Sequence, residues 1–172
     1  MWKKTRKKID RLLEGILVFL MAANVINVLW QIFTRFILKN PSFFTEELAR
    51  YLLIWVGLLG AAYASSKKMH LAIDIILENL KDRAKKIAES IIQIFIFLFA
   101  FFVMVIGGLR LVTITLTLNQ ISAALRIKLG YVYLVIPLSG LLIMFYAAAF
   151  IIDSSSAEEK KRENKLSVRE GI

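Results

Sequence analysis

The sequence predicts an all-α integral membrane protein with four transmembrane helices and one interfacial amphipathic helix between the second and third. Three observations carry that prediction. Four long apolar runs dominate a chain of 172 residues that is 58% hydrophobic, against roughly 45–50% for soluble domains. Lys and Arg gather in the segments between those runs. One of those segments, 70–86, has the periodicity of a helix with one apolar face.

The runs cover about 12–36, 48–65, 87–118 and 131–152. A hydrocarbon core of roughly 30 Å needs about 20 helical residues. The first and fourth runs span with some tilt, and the second is near the short limit. The third is longer than required, so it tilts strongly, projects, or changes conformation near its end. Thr113, Thr115 and Thr117 alternate as in a strand, but a lone strand in lipid strands its backbone polar groups, so helix is expected there. The basic N-tail and Ala22-Ala23 resemble a signal peptide. The apolar pattern continues to Trp30 and Phe33, however, which is too long for a signal core. A retained helix is therefore expected.

The Lys and Arg residues set the orientation. Counted tail, loop, loop, loop, tail, they number 6, 2, 6, 2 and 5. The alternation predicts four crossings with both termini cytoplasmic. Residues 1–152 then form one transmembrane domain, and 153–172 a flexible cytoplasmic tail. In the second loop, Ile73, Ile76, Leu77, Leu80, Ala84 and Ile87 share a face opposite Asp74, Glu78, Lys81, Asp82 and Lys85. Such a helix is expected along the cytoplasmic interface, with Ile76 and Leu80 toward acyl chains or a partner; a short soluble helix folded back on the protein is the alternative.

Several residues inside the spans carry information. Asn24, Asn27 and Gln31, with Arg35 beyond them, fall on one helical face. Amides in hydrocarbon need hydrogen bonds, so this polar packing stripe faces protein: either the rest of this chain or another subunit. Thr45 is the expected N-cap of the second span, and Glu46 and Glu47 sit at its positive end. Glu46 and Arg50 have the spacing of a helical ion pair. Deeper in, Gly57, Gly60, Ala61 and Ala64 make a small-residue strip that permits close helix approach. Trp55 is too deep for an interfacial belt. Arg110 lies about 34 Å along the helix from Ile87, at the level of Arg35, Glu46, Glu47 and Arg50. A transport site needs polar groups near the midplane. These five charges are at the edge, so a structural or subunit-interface cluster is expected, held by Glu47–Arg110 or Glu46–Arg50 pairs.

Composition excludes much else. With no Cys and one His, disulfide scaffolds, cysteine-ligated zinc and Cys–His nucleophiles drop out. The phosphate-loop, dinucleotide and nucleophile-elbow motifs are missing. No catalytic, cofactor or metal-binding residue is expected, and no enzymatic activity. The net charge of +10 is spread over the ends of apolar runs, which argues against a nucleic-acid partner and for the lipid bilayer.

The segment Phe44-Thr45-Glu46-Glu47-Leu48-Ala49-Arg50-Tyr51-Leu52 is followed by Trp55, Gly60-Ala61-Ala62 and His70-Leu71-Ala72-Ile73-Asp74. Together with the four-span layout over residues 9–152, it resembles the small membrane subunit of tripartite ATP-independent periplasmic (TRAP) transporters. The resemblance implies a three-part system in the bacterial inner membrane. A periplasmic substrate-binding protein captures an organic anion, such as a carboxylate or sialic acid. A large membrane subunit moves it together with coupling sodium ions. The small subunit acts as a scaffold, here in the unfused form. A self-assembling four-helix channel or exporter, with Asn24, Asn27 and Gln31 around its pore, is the alternative.

Overall fold

A computed structural model describes residues 2–39, 42–67 and 82–150. The expected four-span architecture is present: Arg6–Phe36, Phe43–Ser66, Ile87–Thr117 and Leu129–Phe150 are each long and apolar enough to cross a membrane. In chain order the elements are α1 (Trp2–Phe36), α2 (Phe43–Ser66), α3 (Asp82–Phe99), a π-helical segment (Ala100–Gly107), α4 (Gly108–Thr117), α5 (Leu129–Tyr133) and α6 (135–150). Among the described residues the only strand-like pairing is one isolated bridge between Ile121 and Lys128.

Two details differ from the sequence reading. The second span does not start at Thr45. Its N-cap is Ser42, whose side chain makes no capping bond, and Thr45 Oγ1 instead donates to the Ser42 carbonyl at 2.7 Å. The apolar Phe43-Phe44 pair extends the helix by a turn that the acidic pattern alone did not suggest. The third run changes conformation in its middle rather than near its end, where eight residues form the wider π-helical turns. The threonines after it are helical: Thr113, Thr115 and Thr117 hydroxyls each donate to the carbonyl four residues back at 2.8 Å.

Of the expected interfacial helix 70–86, residues 70–81 lie outside the described residues, His70, Asp74, Ile76 and Leu80 among them. Residues 82–86 are helical and run without a break into the third span. The tail, 153–172, also lies outside the described residues.

The fourth span is the hub. Half of its most apolar window is buried within the chain, against 11%, 11% and 17% for the other three. One cluster joins Leu13, Leu59, Val135 and Tyr146 from α1, α2 and the fourth span. A second joins Ala62, Ala100, Met104 and Ile143 from α2, the third span and α6. Lipid tails are as apolar as these side chains, so close van der Waals fit holds the helices together more than hydrophobic transfer does. Small residues provide that fit. A Cβ on Gly140 would lie 2.7 Å from Met104 Cβ and 3.3 Å from the Ala100 carbonyl, and one on Gly108 would lie 3.0 Å from Pro137 Cδ.

Pro137 also explains why the fourth span is two helices. It has no N–H for the Tyr133 carbonyl, and its ring crowds the preceding turn. The helix breaks at Leu134. Trp55 Nε1 donates to the carbonyl of Val132, just before the break, at 3.1 Å. The deep tryptophan is thus a polar tie between α2 and the fourth span.

Replacing Gly140 with Ala is expected to destabilise the isolated chain by about 1–3 kcal/mol, because Met104 must move. Gly57→Ala is expected to be neutral or slightly stabilising, since nothing lies within 4 Å of its Cβ position. Denaturant titration in detergent micelles measures both. Equal effects would contradict the packing described.

Candidate functional site

The bundle has two polar ends. The connector end carries the α1–α2 connection and the 118–128 loop; the terminal end carries the start of α1 and the end of α2.

At the connector end the third span stops in a Schellman arrangement. Asn119 N–H donates to the Leu116 carbonyl at 3.1 Å and Gln120 N–H to the Thr115 carbonyl at 3.0 Å. Asn119 takes the left-handed conformation at φ 46°, which Asn tolerates better than most residues. The loop then closes through Ser122 N–H to the Ile127 carbonyl at 2.9 Å and Leu129 N–H to the Gln120 carbonyl at 3.0 Å. Its tip presents two N–H groups without a backbone partner, of which Leu125 N–H also reaches Ser122 Oγ at 3.2 Å. Glu47 meets them: Oε2 accepts from Ala124 N–H at 2.8 Å and Leu125 N–H at 2.9 Å. Oε1 accepts the Tyr51 hydroxyl at 2.7 Å. The carboxylate therefore pins a loop 77 residues away to the first turns of α2.

This arrangement separates the expected charge cluster. The Glu47–Arg110 pair does not form, because both Glu47 oxygens are engaged by Tyr51 and the loop. Arg110 is exposed and makes no ion pair among the described residues. Glu46 and Arg50 do pair, at 2.7 Å, with side chains 54% and 69% exposed. An exposed helical pair of this kind contributes little stability. Arg35 lies 6.0 Å from the Phe36 ring centroid. With Gln31, Ser42, Phe43 and Glu46 it lines a cleft of about 250 Å³.

The polar stripe turns inward, toward α2. Asn27 is buried and donates through Nδ2 to the Thr45 carbonyl at 2.7 Å. That carbonyl belongs to the first turn of α2. Asn24 Oδ1 is buried without a partner among the described residues. Gln31 is half-buried, and its carbonyl receives the Thr34 hydroxyl at 3.0 Å. For Asn27, then, packing within the chain accounts for the amide. The small-residue strip does the opposite: Gly57 and Ala61 are exposed, Gly60 and Ala64 half-exposed, and nothing lies near the Cβ positions of the two glycines.

Sequence reasoning missed the terminal end. Tyr146 donates its hydroxyl to Asp10 Oδ1 at 2.7 Å. The Arg6 guanidinium donates to the Ser66 carbonyl and lies 5.9 Å from the Tyr146 ring centroid. Three spans are thereby joined by one acid, one base and one phenol. Arg6 and Asp10 are four apart on the face that also carries Leu13 and Leu17. That periodicity could have flagged them, had the basic tail not been read only as an orientation signal.

The described residues contain no group of three or more His, Asp or Glu side chains that could hold a metal ion. Four apolar spans, two polar ends and a packed interior define a multi-pass helical membrane protein. A family model described as "Tripartite ATP-independent periplasmic transporters, DctQ component" matches residues 24–156. The chain belongs to this family, the small permease subunits of TRAP transporters. It is 40% identical over 83 residues to the sialic acid TRAP transporter small permease protein SiaQ of Vibrio cholerae, a match covering 48% of each chain. It is 24% identical over 135 residues to a putative TRAP transporter small permease protein of Haemophilus influenzae, covering 78% of this chain and 82% of that one. It is also 28% identical over 115 residues to the sialic acid TRAP transporter permease protein SiaT of Haemophilus influenzae, covering 67% of this chain and 18% of that protein. The matched stretch thus spans about half the length of SiaQ and under a fifth of SiaT.

Replacing Glu47 with Ala is expected to free the loop tip. Amide exchange at Ala124 and Leu125 should accelerate, while exchange in the buried part of α6 stays unchanged. Arg110→Gln should leave both amides as they are. Hydrogen exchange read by NMR separates these outcomes; protection at Ala124 that survives the Glu47 change would refute the pin, whereas Leu125 keeps Ser122 Oγ as a second acceptor.

Proposed function

We infer that the chain is a scaffold subunit that holds a large membrane subunit of a TRAP transporter in place, and that the substrate is an organic anion delivered by a periplasmic binding protein. Sodium coupling belongs to the large subunit. The observation that carries this reading is the position of charge. No Asp, Glu, Lys or Arg occurs in 15–34, 51–66, 90–109 or 129–150. A pathway for an ion is marked by ionisable groups near mid-depth, and here the mid-depth interior is a core packed around the fourth span, with the Asn24 and Asn27 amides as its polar groups on α1.

The relatives support the partner. In SiaT the stretch similar to this chain is a minor part of a much longer permease polypeptide. Two regions carried on one chain have a reason to act together, and a separate chain of the same kind acts with the rest as a subunit. The names of SiaQ and SiaT specify sialic acid, a carboxylate, which favours an organic anion. The small-residue strip of α2 is open to a helix of another subunit. A pore lined by Asn24, Asn27 and Gln31 is disfavoured, because Asn27 is already bonded to α2. The connector end is assigned to the periplasm and both termini to the cytoplasm by the distribution of Lys and Arg.

Tagged chain extracted in mild detergent is expected to co-purify one large membrane protein. Recovery as a homo-oligomer alone would favour the channel. Reporter fusions at Asn40 and Gln120 should read periplasmic, and fusions at Lys68 or after Lys160 cytoplasmic. A periplasmic carboxyl terminus would overturn the orientation.

A further inference from the structure

A groove of about 350 Å³ runs along the outside of the first span, lined by Leu12, Gly15, Ile16, Phe19 and Trp55, with Arg11 at the end nearer the N-terminus. Its walls are apolar and one of them is fixed: the Trp55 indole is held by its bond to the Val132 carbonyl. Its floor is Gly15. Arg11, Gly15 and Phe19 are spaced by four and form one row on the helix, so the missing side chain of Gly15 interrupts a ridge. Among the described residues nothing requires that glycine, since no heavy atom lies within 4 Å of its Cβ position. A helix-weakening residue in a span is thereby left with no packing role among the described residues.

The charged end has a matching chemistry. Lys7 lies one turn before Arg11 on the same row, and both are exposed. Arg11 makes no ion pair among the described residues, although Glu14 is only three positions on. From Arg11 to Leu20 the helix rises about 14 Å, close to half of a hydrocarbon core of roughly 30 Å. The groove therefore has the length of one leaflet, with cations where headgroups lie and apolar walls where an acyl chain lies.

We propose that this groove is a binding site for an anionic phospholipid, with its phosphate at Lys7 and Arg11 and one acyl chain over Gly15 against Trp55. Basic residues near a membrane surface attract anionic headgroups, and an acyl chain bends to fill a shallow groove that a side chain at position 15 would occupy. The site depends only on the chain spanning a bilayer and not on its role in transport.

The test uses the full chain, purified in neutral detergent and supplied with phosphatidylglycerol or phosphatidylcholine of identical acyl chains. Retained lipid is read by native mass spectrometry. The wild type is expected to retain phosphatidylglycerol with about a fivefold preference. Lys7→Gln with Arg11→Gln should bring the two lipids to parity. Gly15→Leu should lose both, and it is expected to fold because it meets open space, which an unchanged unfolding midpoint verifies. Equal retention of the two lipids by the wild type, or undiminished phosphatidylglycerol on Gly15→Leu, would overturn the proposal. A photo-crosslinker at position 16 in native membranes should label phospholipid; a crosslink to a polypeptide would instead assign the groove to a partner helix and also overturn it.

Discussion

A backbone N–H or carbonyl inside hydrocarbon has no water to turn to, so each must find a partner within the protein. The rest of this structure follows from that requirement. It makes the apolar runs helices, and it keeps Thr113 to Thr117 helical despite a strand-like alternation. It also accounts for the side chains that reach backbone groups. Trp55 reaches the Val132 carbonyl beside the break that Pro137 causes, and Glu47 takes two loop N–H groups. Both backbone sites lie where regular helical bonding ends, and Asn27 is the converse case: a side-chain amide that finds its own acceptor in the Thr45 carbonyl.

With backbone bonding closed, what remains is fit between helices. Gly108 and Gly140 let the third and fourth spans approach closely, and the π-helical segment lies alongside that contact. The ties made by charged side chains lie toward the two ends, Glu47 at one and Arg6 and Asp10 at the other, with Trp55 as a neutral tie between them. The middle carries no charged side chain and is close-packed around the fourth span. The small-residue strip of α2 stays on the outside of this packing, with nothing near the Cβ positions of Gly57 and Gly60.

Much of this was legible in the sequence, and the reasons differ by feature. The spans were legible because hydrocarbon thickness fixes their length. The Glu46–Arg50 pair was legible because helical spacing is local. The Glu47 contacts were not, because they join residues 77 apart through backbone N–H groups, which carry no letter in the sequence. The charge on Glu47 suggested a cation partner, but a loop tip with unpaired donors competes equally well. The Asp10–Tyr146 bond was hidden for a similar reason: it joins residues 136 apart. Trp55 was noticed for its depth, and its partner became clear only with the break in the fourth span. The π-helical turns had no signal in a run of Phe, Val, Met and Ile that reads as uniform helix.

The central position of the fourth span also bears on how the protein is made. Of the four spans the ribosome delivers this one after the other three, yet both core clusters contain it. The first three spans therefore enter the bilayer before their common centre exists. Asn27 and Thr45 sit on consecutive spans, so that amide finds its carbonyl as soon as the first hairpin is inserted. Glu47, Trp55 and Asp10 must wait for segments synthesised 77 to 136 residues later. Until then, an acid, an indole and a second acid face lipid, water or the insertion machinery without their final partners. Completion of the fourth span is thus the event that turns a loose set of inserted helices into a closed bundle.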